Sequence, residues 1–339
     1  MERKLTFFAI MLSPSCFRFA ESVQWKHRKC QHRQGNTKEA RLVHYSRYKR
    51  RRRAVFGGAL LRWAAALLVL AATLGLMYAS TLTPRVVEHV YRRPDLPEQL
   101  KNLRIVYLSD IHQGRRFSQQ RMEALAEQVN QLSADVIILG GDYGDDPEGA
   151  VAFFETMPLL NARNGVFAVM GDTDRSDEPG SLDGLLLAMQ HKNVTALVNQ
   201  VATVKLGSTY LYIAGADDYR AGFPDVEKVA SQLNADDFVI FAGHSPNLLP
   251  AMLDARDREG SAHWYDLALF GHTHGGQMNL FGYTPFRLLR TEMGSRYRSG
   301  WLEENRSAIL ISNGVGTEFV PLRLFAQPQI HLITLKKGS

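Results

Sequence analysis

Cysteine is nearly absent from this chain of 339 residues. There are two, Cys16 and Cys30, and none follows position 30. The rest of the chain therefore needs no disulfide and is compatible with either redox compartment, and any metal it holds is bound without thiolate. Internal repeats and low-complexity segments are missing as well. A net basic charge is missing beyond the first 53 residues. Residues 1–53 hold 15 Lys/Arg against 3 Asp/Glu, a net of +12, while the whole chain is +6, so residues 54–339 carry −6. The sequence pI of 9.3 thus belongs to the tail. A body of this sign lacks the basic footprint of a nucleic-acid-binding surface, and no nucleic-acid partner is expected.

Residues 1–53 show no sustained helical or alternating pattern and read as a basic, disordered tail. Its cluster His27-Arg28-Lys29-Cys30-Gln31-His32 has no second ligand pair at zinc-like spacing. Residues 54–80 are apolar: Ala54 to Leu61, then Arg62, then 17 uninterrupted residues from Trp63 to Ala79. This is enough to span a bilayer if Arg62 snorkels to the interface. Arg47, Lys49 and the run Arg50-Arg51-Arg52-Arg53 stand directly before it. The positive-inside rule keeps that end in the cytoplasm and translocates the body. A secretory or twin-arginine signal competes, because Arg52-Arg53 precede Val55-Phe56. No small-x-small site closes the apolar run, which favours an uncleaved anchor. The expectation is a single-pass protein of the inner (cytoplasmic) membrane with its body on the extracytoplasmic side. Residues 81–101, with Pro84, Pro94 and Pro97, read as a linker carrying an extended or edge-strand segment.

From Leu103 onward, strands alternate with helical stretches. Five apolar runs each end in a polar, glycine-rich loop. Leu103–Leu108 leads to Ser109-Asp110-Ile111-His112, and Val136–Leu139 to Gly140-Gly141-Asp142-Tyr143-Gly144-Asp145. Val166–Met170 leads to Gly171-Asp172-Thr173-Asp174, and Phe238–Ala242 to Gly243-His244-Ser245-Pro246. The last, Leu267–Phe270, leads to Gly271-His272-Thr273-His274-Gly275-Gly276-Gln277. Ligands of open α/β sheets bind at the carboxyl ends of strands. Helices are expected at 118–132, with Ser118 as N-cap, and at 148–160, 181–190, 225–233 and 247–254. Strands at 194–197, 201–206 and 210–213 read as adjacent, and the chain ends β-rich at 308–312 and 329–335. Residues 102–339 fit one domain of two sheet layers covered by helices.

The loops deliver Asp110, His112, Asp142, Asp172, His244, His272 and His274. Three carboxylates and four imidazoles suffice for two metal ions sharing one carboxylate. Mixed N/O ligation suits Mn²⁺, Fe, Zn²⁺ or Co²⁺ rather than Ca²⁺. Two cations about 3.5–4 Å apart can bind a shared hydroxide and a phosphoryl oxygen together, so the expected chemistry is phosphoester hydrolysis. His89, His191, His263 and His331 are given no role, and Trp264 and Trp301 read as core or as the lining of a lipid or sugar pocket.

The ordered set Asp-x-His, Gly-Asp-x-x-Asp, Gly-Asp-x-Asp, Gly-His-x-Pro and Gly-His-Thr-His resembles the calcineurin-like metallophosphoesterase superfamily, over about residues 102–337. Gly275-Gly276-Gln277, Arg296-Tyr297, Gly300, Asn313-Gly314-Val315-Gly316, Pro321-Leu322-Arg323 and the apolar segment in front are similar to its bacterial membrane-associated or exported subfamily. That subfamily includes UDP-2,3-diacylglucosamine pyrophosphohydrolases of the lipid A pathway and cell-wall-associated phosphodiesterases. The resemblance implies an α/β fold, a two-sheet β-sandwich flanked by helices, with an N-terminal transmembrane helix. It implies that Asp110, His112 and His274 hold one divalent metal and that Asp142 bridges. Position 172, His244 and His272 hold the second, and Asp145 is a hydrogen-bonding partner behind the ligands. The implied substrate is a phosphoester or a lipid-linked pyrophosphate.

One departure bears on catalysis. The family's usual Gly-Asn-His-Asp/Glu is Gly171-Asp172-Thr173-Asp174 here. Asp172 adds a negative charge that would lower the metal's Lewis acidity. Thr173 stands where a histidine would protonate the leaving oxygen, and threonine is no acid near pH 7. General acid catalysis is worth about 10²–10⁴-fold, so esters with poor leaving groups should suffer most. The same departure opens the reading of a weakened or inactive metal-binding scaffold.

Overall fold

In a computed structural model, residues 37–176, 178, 180–286, 289, 291–304 and 307–338 are described, with the side chains of 37–42 and 51–57 left aside. Cys16, Cys30 and the His27–His32 cluster lie outside the described residues. The chain divides between Ala66 and Leu67. The first unit is described only as the helix from Thr37, and the second, Leu67–Ser339, holds the sheets and the site.

Helix α1 runs Thr37–Ala79. The part of the tail from Thr37 to Arg53 lies within this helix. No proline interrupts 37–79, and Ala, Leu, Arg and Lys all favour helix, so nothing ends it where charge gives way to apolar residues. It stops ahead of Pro84. Gly58–Ala79, 22 residues with an 18-residue stretch of mean hydropathy 2.0, is long and apolar enough to cross a membrane.

Two six-stranded sheets face each other. The first has the order β1 (Arg85–Arg93), β12 (Gln329–Lys337), β2 (Arg104–Leu108), β3 (Val136–Leu139), β4 (Val166–Ala168), β5 (Val194–Ala196). The second has the order β10 (Gly300–Glu304), β11 (Ser307–Ile311), β9 (Leu267–Phe270), β8 (Phe238–Ala242), β7 (Thr209–Gly215), β6 (Gln200–Leu206). Strands β2 to β5 are parallel, as are β7, β8, β9 and β11. The sheet thus begins at Arg85, inside the segment read as a linker, where β1 forms an edge strand parallel to β12.

Strand alternation sorts the side chains into layers. From β2, Ile105 and Tyr107 enter the core between the sheets, where they meet Ile213, Ile240 and Leu269 of the second sheet. Val106 and Leu108 point the other way, under α2 (Gln119–Gln131), α3 (Pro147–Thr156) and α4 (Asp183–His191). The outer face of the second sheet is covered by α5 (Val226–Ala230) and α6 (Leu249–Asp254), with Trp264 in that core. The result is an α/β sandwich of two sheets flanked by helices. Ser118 caps α2 by accepting from Arg121 N–H. Strands β5 and β6, read as neighbours, belong to different sheets: the chain crosses at Leu197–Asn199, and Leu197 is buried between the layers. The Asn199 side chain fixes that crossing, accepting from the amides of Asp217 and Asp225.

Candidate metal centre

The parallel strands β2, β3, β4, β8 and β9 end on one edge, and each hands its loop to that edge. The loops interlock. Asp110 N–H bonds to Gly141 O, Ile111 and His112 N–H to Asp142 O, and Gly271 N–H to His244 O. The glycines are required by close approach. A Cβ on Gly271 would lie 2.5 Å from Asp110 Oδ2, and one on Gly171 would overlap Asp142 Oδ1. Asp110, His112, Asp142, His272 and His274 all adopt positive φ, a conformation disfavoured for residues with a Cβ. Such strain persists where the surroundings over-determine the backbone, and it concentrates at functional sites.

All seven expected ligands converge, in two groups. Asp142, Asp172, His244 and His272 form one, and Asp110, His112 and His274 the other, with ligand atoms in each within 4.8 Å of one another. His244 Nε2 lies 3.2 Å from Asp142 Oδ2 and 3.3 Å from Asp172 Oδ1, which is also 3.3 Å from His272 Nδ1. In the other group His112 Nε2 is 3.2 Å from His274 Nε2, and His274 Nε2 is 3.5 Å from Asp110 Oδ1. One atom of the first group reaches the second: Asp142 Oδ2 stands 3.5 Å from His112 Nε2.

Hydrogen bonding behind the ligands suits cations. His244 Nδ1 is 2.8 Å from Gly140 O, which makes Nδ1 the protonated nitrogen and turns the lone pair of Nε2 toward the group. Nε2 is itself buried without a hydrogen-bond partner. Burial disfavours the charged form of Asp172, but the facing His244 and His272 outweigh it and hold the carboxyl well below its usual range. The His274 imidazole is pushed far down by burial and by the neighbouring His112 and Arg323, so it is neutral and able to ligate. These donors fit two divalent cations.

The two other expected residues, Thr173 and Asp145, resolve differently. Asp142 Oδ1, turned away from the ligand groups, accepts from Thr173 N–H at 3.0 Å and lies 3.0 Å from Thr173 Oγ1. The same hydroxyl is 2.8 Å from Gly144 O. Thr173 thus steadies the Asp142 carboxylate. Asp145 Oδ1 is 3.7 Å from His112 Nδ1, beyond hydrogen-bond length, and 3.4 Å from Arg116 Nη2. The added charge of Asp172 has a partner that the sequence did not reveal: Arg220 Nη1 donates to Asp172 Oδ2 at 2.9 Å. The loop carrying Arg220 is tied down by Asp218, whose Oδ2 accepts from the amides of Arg220 and Ala221.

Three further residues escaped sequence reasoning. Asp174, fully buried, staples the β3 and β4 loops by accepting from the amides of Asp142, Tyr143 and Gly171. It stood in a quoted motif, and its fixed place two residues after Asp172 was the available signal. Arg323, fully buried, backs His274 and donates to Gly316 O and Ala326 O. Glu318 is pushed up to about 7 by burial, partly offset by His112. Of the residues given no role, His331 is buried between His89 and Ser312, and Trp264 bonds Met252 O. Trp301 stacks on His89.

Residues 103–276, half of the chain, match the calcineurin-like phosphoesterase family. The chain belongs to that family. It is a phosphoester hydrolase whose clustered Asp and His residues serve divalent metal binding. An uncharacterized metallophosphoesterase of Bacillus subtilis, YkuE, is 29% identical over 272 residues, 78% of this chain and 91% of that protein. A Danio rerio protein named as a transmembrane protein with a metallophosphoesterase domain is 27% identical over 306 residues, 86% of this chain and 67% of its own length. Among solved structures, the NAD nucleotidase of Haemophilus influenzae overlaps with a TM-score of 0.43 at 14% identity, covering 63% of this phosphoesterase and 45% of that chain.

Proposed function

We propose that this phosphoesterase is anchored in the inner membrane by α1 and hydrolyses a lipid- or envelope-linked phosphodiester or pyrophosphate on the extracytoplasmic side. The observation that carries the chemistry is Asp142 Oδ2, in one ligand group and 3.5 Å from His112 of the other. Asp110, His112 and His274 would hold one cation, and Asp172, His244 and His272 the other, with Asp142 between them. Such a pair supplies a nucleophile at neutral pH and neutralises charge on the phosphoryl oxygens of an in-line displacement. Oxygen and imidazole donors without thiolate favour Mn²⁺, Fe, Zn²⁺ or Co²⁺. Thr173 holds the bridging carboxylate, and Arg220 offsets the charge of Asp172.

Topology rests on the basic residues Arg47, Lys49 and Arg50–Arg53 ahead of the apolar stretch, and a reporter fused after Ser339 tests it. A cytoplasmic reporter would replace this substrate class by UDP-2,3-diacylglucosamine, made on that side. A second reading, a metal-binding scaffold without turnover, is favoured by one observation: the Thr173 hydroxyl is occupied by Asp142 and Gly144 and leaves no acid at its position. Purified full-length protein with Mn²⁺ and bis(p-nitrophenyl) phosphate separates the two. Turnover that disappears in Asp142→Ala supports the hydrolase. Two bound metals with no turnover of any diester support the scaffold.

A further inference from the structure

Two segments leave the metal centre side by side, one from His274 and one from Glu318. They are joined by Leu324 N–H to Gln277 O and Asn279 N–H to Leu324 O, each 2.9 Å. The first then turns back on itself, with Leu280 and Tyr283 exchanging backbone bonds, and the turn presents Phe281 almost completely to solvent, at 97% exposure. The second presents Phe325 at 75%. Apolar side chains exposed together on adjoining loops mark protein–protein or membrane contact sites. These loops also hold the last turns of α1: Arg323 N–H bonds to Met77 O, and Ser80 Oγ bonds to Arg323 O, each 3.3 Å. Between α1 and the loops lies an open cavity of about 480 Å³, with Leu76 and Met77 facing Leu324 and Phe325 in an apolar part, and with Asn313, Gln327 and Arg85 in a polar part of its lining.

We propose that the 280–283 turn and Phe325 seat in the bilayer beside the end of α1, and that the cavity takes the acyl chain of a bilayer phospholipid whose phosphate meets Arg85. The occupant follows from continuity. One wall of the cavity is the surface of the helix read as membrane-spanning, and the aromatic tips lie next to the residues where that helix ends. Tyrosine favours the membrane–water interface and phenylalanine the apolar side of it, and the volume lies in the range of small-molecule clefts, about 300–1,000 Å³. The proposal rests on the membrane reading of α1, and it goes beyond that reading by placing the catalytic edge of the sandwich against the membrane.

The absence of cysteine after position 30 makes the test direct. Full-length protein with Cys16 and Cys30 replaced by Ser carries one cysteine at a time, as Phe281→Cys, Phe325→Cys, Leu68→Cys or Ser208→Cys, labelled with an environment-sensitive dye. The probe is nanodiscs of phosphatidylethanolamine and phosphatidylglycerol with or without doxyl-labelled phospholipid. Ser208 lies in the β6–β7 turn, on the sheet edge opposite the metal centre. Quenching by doxyl lipid at 281 and 325 as at 68, and none at 208, is the expected result. Quenching at 68 with water-like emission at 281 and 325 overturns the proposal and leaves α1 in the membrane. No quenching at 68 removes the membrane reading and the proposal with it. A blue shift at 281 without doxyl quenching assigns the patch to a protein contact and also overturns it.

Discussion

Asp172 carries its charge between two imidazoles and a guanidinium, and the balance among them sets how firmly the second cation is held. With Arg220 present, part of the carboxylate's charge is already offset. Asp172→Asn leaves Arg220 facing a cation with nothing between, so metal affinity should fall, and adding Arg220→Ala should recover part of it. Arg220 is 38% exposed, so solvent screens the pair. The coupling expected in a double-mutant cycle is therefore about 0.5–1 kcal/mol, or about two- to fivefold in affinity. Metal titrations of the four proteins measure it; additive effects would deny Arg220 this role. Thr173→Val removes one hydroxyl contact to the bridging carboxylate, worth about 1 kcal/mol, so kcat should drop about fivefold and Thr173→Ser should restore it. The seven ligands were legible because each sits in a short motif at a strand end. Arg220 was not, because its partner lies 48 positions away and nothing local marks the pairing.

Among the elements, the two sheets are strapped together where β1 meets the start of β9. Arg93 Nη1 pairs with Asp266 Oδ1, and Asp266 Oδ2 accepts from Val239 N–H. Asp266 is buried, and that burial pushes its carboxyl up to about 6 despite Arg93. Arg93→Ala leaves this carboxyl buried without its partner and should cost about 3–5 kcal/mol of stability, read as a large drop in Tm. Acid has its own target in β12. Burial, aided by the neighbouring His89, lowers the His331 imidazole from 6.5 to about 3. The unfolded chain takes up this proton below 6.5 and the folded chain only near 3. The stability is therefore complete above pH 6.5 and is lost as pH falls toward 3, by about 3 kcal/mol at pH 4.5. Comparing Tm at pH 7 and pH 4.5, His331→Gln should lose less than the parent on acidification; an equal loss would contradict this. Element type was readable from periodicity in α2 and the five core strands. Sheet membership was not: β5 and β6 adjoin in sequence, and only the packing of Leu197 and the Asn199 crossing separates them. Nor was the helical state of Thr37–Arg53, since a charged stretch carries no apolar stripe to mark a helix.

For the molecule as a whole, a sandwich whose catalytic edge is built from five separate loops can gather its ligands only once both sheets have formed. Metal binding and folding should therefore be linked, and chelation should lower Tm as well as abolish hydrolysis. The most direct test is the metal content of full-length protein reconstituted with Mn²⁺, measured by mass spectrometry against protein concentration. Two ions per chain are expected, about one in His244→Ala, which spares the Asp110, His112 and His274 group, and a loss at both positions in Asp142→Ala. A folded parent protein that retains no stoichiometric metal, or an Asp142→Ala variant that keeps both ions, would contradict this.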